Sequence, residues 1–280
     1  MLFKMEIHLI HFLRRAGIPL LKFFAFDTKI KHHHIKNARI SLNTFQHKGY
    51  WFHGKQRESK TMLLFKELIN PGDTIVEVGG HIGYISLYFS HLTGPEGKVV
   101  VFEPGSNNLP YIKQNIRQNA DSDRNIRLIE SAVGKNKGVA IFYEDLLTGQ
   151  NNSLVKDFQG LMNNQKNSFV KTAVHQREVE VIAIDDLFLE HRIHFIKIDI
   201  EGGEWPAIQG AANTIRNCYP VLMTEIQANR GEIMAFFKAL NYVGLNEDRH
   251  LITGSEKLNG NIFWLHQDQH KHLITSILQS

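Results

Sequence analysis

Short apolar runs and segments of helical periodicity alternate along the chain, which predicts alternating strands and helices. The predicted strands are 74–78, 98–104, 126–133, 139–145, 179–187, 194–205 and 220–226, and the predicted helices are 58–69, a helix from Tyr84, 109–119 and 207–217. With right-handed crossovers, this order predicts an α/β fold built on a doubly wound, mostly parallel sheet. Two later segments, near 242–245 and 262–266, predict a hairpin that adds a late antiparallel edge strand.

The strongest functional signal follows the first of these strands. The strand ends near Glu77, and a turn with Gly79, Gly80 and Gly83 comes before the next helix. Glycines let the backbone approach a ligand, and the start of a helix offers unpaired N–H groups. We therefore expect this turn to hold part of a nucleotide-like cofactor, in the crevice at the carboxyl edge of the sheet.

The next predicted strand ends in a second acid, Glu103. A carboxylate at this position accepts hydrogen bonds from both hydroxyls of a ribose. The glycines do not follow the dinucleotide spacing G-x-G-x-x-G, and Glu77 would repel a pyrophosphate. This pattern favours a ligand that carries a cation, such as the amino group of S-adenosylmethionine. It argues against the alternative, a nicotinamide-dependent oxidoreductase.

The second half of the chain places several carboxylates at strand ends. Asp199 and Glu201 lie two residues apart, so their side chains share a face, and Glu204 begins the following helix. Glu225 ends the next strand, and acids this close need a proton, a metal or another cation to offset their repulsion. We expect Asp199 and Glu201 to be catalytic and Glu204 to meet the substrate. Lys197 is expected on the opposite side of the sheet, in a buried ion pair or with its stem along apolar surface.

Further candidates come from the glycine turn and from a long polar loop. Imidazole side chains ordinarily titrate near neutral pH, so His81 is a candidate base or cofactor contact. Segment 147–176 is a long Asn-rich loop, of a kind that often carries function, and its Asn151 and Asn152 are candidate substrate contacts. The three histidines at 32–34 are expected in solvent, because three adjacent side chains cannot all face one metal ion.

Composition and charge divide the chain unevenly. Of the 280 residues, 42% are hydrophobic and 21% charged, which is ordinary for a globular protein, and a single cysteine excludes an internal disulfide. Residues 1–60 carry 12 Lys and Arg against 3 Asp and Glu, so this part is strongly basic. Its apolar runs fall short of the roughly twenty residues that span a bilayer. We expect a basic, amphipathic arm at 1–57, one cofactor-binding domain at 58–268 and a C-terminal tail at 269–280.

Taken together, the motifs resemble the FkbM family of S-adenosylmethionine-dependent methyltransferases. The resemblance runs from about 71 to 226 and rests on PGDTIVEVGGHIGYISL, VVVFEP with NIRQN, SAVG, VIAIDDL, FIKIDIEGGEWPAIQGA and PVLMTEI. Glu77 stands where the family usually has Asp, and His81 where it usually has Asn. The resemblance implies the Rossmann-like fold of class I methyltransferases. It also implies a cofactor site of Glu77, Gly79, Gly80, His81, Gly83, Glu103, Ser131, Ala132 and Asp199.

The resemblance further implies the reaction, which is transfer of the methyl group of S-adenosylmethionine to a hydroxyl on a sugar, a glycan or a secondary metabolite. Related hydroxyl methyltransferases of this fold hold magnesium between acids at adjacent strand ends. Asp199 and Glu225 lie in similar places, so a divalent metal stays an open alternative. A non-catalytic binding or membrane-tethered protein of the same fold is another alternative, and the retained acids argue against it.

The expected partners follow from the same considerations. We expect a small-molecule or glycan acceptor and no nucleic acid. The expected location is cytoplasmic, with peripheral contact to an acidic membrane through residues 1–60 as an alternative to packing of this segment on the protein. The acceptor itself and the oligomeric state are left open by the sequence.

Overall fold

The computed structural model describes residues 23–119, 125–146, 149–156, 158, 174–187, 192–258 and 260–279. Its strands are β1 (Asp27–Lys31), β2 (Arg39–Asn43), β3 (Thr74–Val78), β4 (Lys98–Phe102), β5 (Ile126–Ile129), β6 (Ala132–Val133), β7 (Gly138–Asp145), β8 (Val174–Ile182), β9 (Phe195–Ile198), β10 (Val221–Glu225), β11 (Tyr242–Asn246), β12 (Leu251–Ile252) and β13 (Asn261–His266). Its helices are α1 (Lys48–Phe52), α2 (Ser59–Leu68), α3 (Tyr84–Thr93), α4 (Leu109–Gln118), α5 (Glu204–Gln209), α6 (Ala212–Cys218), α7 (Arg230–Ala239) and α8 (Lys271–Gln279).

The largest sheet has the order β12-β11-β13-β10-β9-β3-β4-β5. Strands β5, β4, β3, β9 and β10 pair in parallel, and β13 pairs antiparallel with both β10 and β11. The predicted α/β fold with a mostly parallel sheet and a late antiparallel hairpin is therefore confirmed. The antiparallel strand β13 lies two positions in from the edge, because β11 and then β12 follow outside it.

Helices cover both faces of this sheet, so its central strands are apolar on both sides. On one face, residues such as Ile75 and Phe195 pack beneath α2, α3, α4 and α8. On the other face, residues such as Val76 and Ile196 pack beneath α5, α6 and α7. This double burial explains why the strands are continuous apolar runs in the sequence.

Two predicted elements are divided in the structure. The predicted strand 126–133 becomes β5 in the large sheet and β6 in a separate sheet of order β6-β8-β7. The predicted helix 207–217 becomes α5 and α6, which are interrupted at Gly210. The backbone of Gly210 lies so close to the carbonyl of Gly134 that a Cβ atom there would overlap it. Asp185 then accepts hydrogen bonds from the backbone N–H groups of Asn213 and Thr214, which begins α6.

Part of the described N-terminal segment packs on the rest of the protein. Strands β1 and β2 form a hairpin whose Ile40 and Leu42 are buried in the core. His32 is also buried, with its ring stacked on Tyr84 at 4.0 Å, so the expectation of solvated histidines is wrong for this residue. The amphipathic pattern predicted at the start of the chain lies in residues 1–22, outside the described residues.

The C-terminal residues likewise join the core, because Ile277 of α8 is buried against it. Among the described helices, none has the length and hydrophobicity needed to cross a bilayer.

Adjacent leucines on α2 offer a matched test of this core. Leu64 is 2% exposed, whereas its neighbour Leu63 is 56% exposed. We expect Leu64→Ala to lower the free energy of unfolding by about 2–5 kcal/mol, because it leaves a cavity in the core. Leu63→Ala should change it by less than about 0.5 kcal/mol. Urea unfolding of both variants measures the difference, and equal losses would contradict this packing.

Candidate active site

A cavity of about 290 Å³ lies at the carboxyl ends of β3, β4 and β9. The predicted site residues that line it are Glu77, Gly79, Gly80, His81, Glu103, Ser131, Ala132, Asn152, Asp199 and Glu201. Residues more than a hundred positions apart in sequence thus meet at one edge of the sheet. This is the crevice where open α/β sheets bind their ligands.

The glycine turn brings two strand ends into contact. Gly79 has φ +88°, and a Cβ atom there would overlap the carbonyl oxygen of Asp199. The N–H groups of Gly79 and Gly80 both donate to the carbonyl of Phe102, each at 3.0 Å. Gly83, with φ +81°, begins α3 and packs on Ile112 instead of lining the cavity. A side chain at position 79 would therefore push β3 and β9 apart at the cavity.

Glu103 is a buried carboxylate held by three donors. It accepts hydrogen bonds from the backbone N–H groups of His81 and Gly105, each at 2.7 Å, and from the Asn108 side chain at 3.2 Å. Burial raises its pKa to about 7, although these hydrogen bonds oppose the shift. Because two carboxylate oxygens offer about four acceptor positions, Glu103 can still accept from a ligand.

A buried lysine connects two of the candidate acids. Lys197 is the partner of Glu77 in the pairing of β9 with β3, and its Nζ lies 3.8 Å from Oε1 of Glu77. The same Nζ lies 3.2 Å from Oδ2 of Asp199 and donates to the carbonyl of Gly79. The expectation that Lys197 faces away from Asp199 is therefore wrong, because residues two apart share a face. The expected buried ion pair is present.

The pKa values of these groups follow from burial and from the lysine. Burial raises the pKa of Glu77 to about 7, although Lys197 opposes this. Burial, the largest influence on Asp199, would raise its pKa as well. Lys197 and a hydrogen bond with Glu225 outweigh it and hold the pKa of Asp199 below its usual range. Asp199 is thus the most readily ionised acid of this group.

Two more carboxylates face Asp199. Oxygens of Asp199, Glu201 and Glu225 all lie within 4.8 Å of one another. Burial followed by the charge of Asp199 raises the pKa of Glu225 strongly, and the same influences raise that of Glu201 to about 8. At neutral pH the cluster therefore keeps at least one proton, unless a cation replaces it. Three such oxygens are also suitable ligands for a divalent metal.

One wall of the cavity comes from residues that the sequence did not indicate. Tyr50 of α1, Arg57 and Glu58 all line it. The Tyr50 hydroxyl lies 3.0 Å from Nδ1 of His81, and the Arg57 guanidinium lies over the Tyr50 ring at 4.5 Å. Arg57 also pairs with Glu58 at 3.0 Å. These residues lie in a basic stretch without a motif or clear periodicity, so no local signal marked them.

Three predicted site residues do not line the cavity. Gly83 is one, as described above. Glu204 is buried, and it accepts a hydrogen bond from the N–H of Gly202 at 2.8 Å, within the turn before α5. Asn151 donates to Asp145 at 3.2 Å. Its neighbour Asn152 does line the cavity. Most of the predicted loop 147–176 lies outside the described residues.

Two buried acceptors in the cavity wall have no hydrogen-bond partner among the described residues. They are Oε1 of Glu77 and Oδ1 of Asn108. Buried acceptors without a donor are costly, so they indicate a bound donor-rich molecule. S-adenosylmethionine carries such donors on its amino group, its ribose and its adenine, and its charge suits an acidic cavity. The residues present therefore fit this cofactor.

The strand order, the glycine turn and the acids that follow it define a class I methyltransferase dependent on S-adenosylmethionine. A family described as "Methyltransferase FkbM domain" matches residues 77–244, and the chain belongs to this family. The resemblance inferred from the sequence is thus confirmed. Among curated proteins, none matches the chain.

Three solved structures with which the chain aligns are described as methyltransferases. The methyltransferase FkbM from Methylobacillus flagellatus is 17% identical, with a TM-score of 0.47, over 71% of this chain and 49% of that one. This chain therefore spans about half the length of that protein. An O-methyltransferase from Thermotoga maritima is 9% identical, with a TM-score of 0.42, over 74% of this chain and 63% of that one. A protein described as a putative O-methyltransferase from Klebsiella pneumoniae is 11% identical, with a TM-score of 0.40, over 76% and 80%.

The raised pKa of Glu201 predicts a pH-dependent stability. Its pKa is about 8 in the folded protein and near 4.5 in the unfolded chain, so ionisation increasingly opposes folding as the pH rises between these values. We expect Glu201→Gln to raise the free energy of unfolding, relative to the original protein, more at about pH 9 than at about pH 5. Urea unfolding at both pH values measures this. Glu96→Gln, at an exposed position outside the cavity, is the matched control. If Glu201→Gln raised the free energy of unfolding equally at both pH values, the pKa of Glu201 would not be raised in the folded protein.

Proposed function

We propose that this protein transfers the methyl group of S-adenosylmethionine to a hydroxyl, on a sugar, a glycan or a secondary metabolite. The observation that supports a hydroxyl acceptor is the cluster of three carboxylates, Asp199, Glu201 and Glu225, beside the cofactor residues. A hydroxyl must lose its proton when it is methylated, and this cluster can accept one. An acceptor without a proton to lose would not need it.

The cofactor residues follow from the orientation of the acids. Glu103 accepts hydrogen bonds from the ribose hydroxyls, with its carboxylate already oriented by His81, Gly105 and Asn108. Oε1 of Glu77, which accepts no hydrogen bond from the described residues and lies 3.8 Å from Nζ of Lys197, accepts from the amino group of the cofactor. When bound, the cofactor supplies a methyl group activated by a sulfonium. The protein contributes alignment of the acceptor oxygen with that methyl group.

Proton removal is assigned to the cluster at the end of β9. Asp199 is ionised and is the principal acceptor of the hydroxyl proton. Glu201, with a pKa of about 8, is mostly protonated at neutral pH and leaves Asp199 as the acceptor, and the proton then passes from Asp199 to solvent. Asn152 lines the same cavity, with its amide held by Asp145 and Asn107, and is the candidate contact to the acceptor. His81, fixed by Tyr50, is the second candidate base.

A divalent metal at Asp199, Glu201 and Glu225 is the other way to activate the hydroxyl. Carboxylate oxygens are the ligands that magnesium and manganese prefer. However, Lys197 lies 3.2 Å from Asp199 and already offsets part of the negative charge. Proton sharing between Asp199 and Glu225 accounts for the rest. We therefore favour the metal-free site, and sensitivity of methyl transfer to a chelator would reverse this preference.

The assignment of Glu103 is tested by cofactor binding alone. Glu103→Gln and Glu103→Ala should weaken the binding of S-adenosylmethionine and S-adenosylhomocysteine by about 1.5–3 kcal/mol, because charge-assisted hydrogen bonds are lost. Isothermal titration calorimetry measures this. Glu178→Ala, on the exposed side of β8, is the matched control and should bind as the original protein does. Unchanged affinity in both Glu103 variants would refute the assignment, and tighter binding of NAD than of S-adenosylmethionine would refute the proposed cofactor.

The assignment of Asp199 is tested by turnover. With a trideuteromethyl form of the cofactor and extracts of metabolites and glycans, mass spectrometry detects labelled acceptors. Asp199→Asn should bind the cofactor normally and label its acceptor roughly 10²–10⁴-fold more slowly, since a positioned proton acceptor is lost. Asp186→Asn, at an exposed position after β8, should label at the original rate. Near-normal labelling by Asp199→Asn would move the role of base to His81.

A further inference from the structure

A patch of exposed aromatic side chains lies on the N-terminal segment. We call the set Phe23, Phe24, Phe26, Trp51 and Phe52 the aromatic surface. Phe26 is 62% exposed, Trp51 45% and Phe52 72%. Among the described residues, the other strongly exposed large hydrophobic side chains are all aliphatic, and they lie on other elements. Exposed aromatics gathered in this way mark an interaction site.

Hydrogen bonds to Thr44 hold two members of the aromatic surface side by side. The N–H of Phe26 donates to the Thr44 hydroxyl at 3.1 Å, and the N–H of Thr44 donates to the Phe26 carbonyl at 3.0 Å. The indole N–H of Trp51 donates to the Thr44 carbonyl at 2.8 Å. The ring of Phe52 lies 6.2 Å from that of Trp51. The rings are therefore presented on a fixed backbone.

The segment that carries the aromatic surface is basic. Residues 23–60 carry 8 Lys and Arg and 2 acids. Lys29, Lys31, Lys36, Lys48 and Lys55 are all exposed. Both acids have partners within the chain, since the exposed Asp27 accepts from Asn43 and Tyr111 and the partly exposed Glu58 pairs with Arg57. A second copy of this chain would bring the same positive charge against this face. A bilayer with anionic lipids instead offers both the apolar layer and the opposite charge.

We propose that the aromatic surface docks on an anionic lipid bilayer. Trp51 and Phe52 enter the headgroup region, and exposed lysines of the same segment interact with acidic headgroups. The inference extends beyond methyl transfer and does not depend on it. Helix α1 connects this surface with the cavity, because Tyr50 lines the cavity while Trp51 and Phe52 are exposed.

Vesicle binding tests the proposal with the full chain. The protein should sediment with vesicles of phosphatidylcholine and phosphatidylglycerol, and much less with phosphatidylcholine alone. Salt should weaken this binding. The double variant Trp51→Ser, Phe52→Ser should bind these vesicles roughly tenfold or more weakly, because two aromatic anchors are removed. The fluorescence of the original protein should shift to the blue on binding, since Trp51 is the most exposed of the three tryptophans.

Controls separate docking from loss of structure. Val139→Ser, Ile141→Ser removes two exposed apolar side chains from β7 and should leave vesicle binding unchanged. Thermal unfolding and cofactor titration show whether each variant is folded. The proposal is overturned if the original protein does not bind anionic vesicles at low salt. It is also overturned if the folded Trp51→Ser, Phe52→Ser variant binds them as tightly as the original protein does. It is also overturned if that variant instead dissociates an oligomer seen by sedimentation velocity, which would assign the aromatic surface to a second copy.

Discussion

Lys197 lies buried between two acids near the middle of the sheet, and its ammonium contacts the carboxylates of both Glu77 and Asp199. An unpaired ammonium at this place would lose its hydration without compensation, and breaking such a pair typically costs about 3–5 kcal/mol. The register of β3 and β9 therefore has to place Glu77 opposite Lys197. The same constraint fixes the position of the glycine turn, since Gly79 follows Glu77 by two residues and accepts from Lys197 through its carbonyl.

The ion pair also organises the chemistry of the cavity. Burial raises the pKa values of Glu77, Glu201 and Glu225, and the charge of Asp199, which the one buried lysine does not fully neutralise, adds to each shift. Asp199 is the exception because it is closest to the lysine. A cofactor with a positive charge relieves this repulsion on binding. Structural and chemical roles therefore coincide in the same few side chains.

The fold and half of the site were predictable because their signals are local. A buried strand, a glycine turn and an acid at the strand end occupy a short stretch of chain, as at Glu77 and Glu103. The division of 126–133 was not predictable from apolarity, because the choice between two sheets depends on where β8 lies. The break at Gly210 depends on the distant carbonyl of Gly134. Tyr50 and Arg57 reach the cavity through tertiary packing alone, and no local sequence pattern predicts this.

The wall formed by α1 has an evolutionary consequence. The stretch that matches the FkbM family begins at residue 77, whereas Tyr50, Arg57 and Glu58 lie before it. The residues assigned to the cofactor and those that close this side of the cavity are thus encoded in separate parts of the gene. Mutation or exchange of the first part can reshape this side of the cavity while Glu77, the glycine turn and Glu103 stay unchanged. Relatives can therefore diverge in the molecules they admit without losing the chemistry they share.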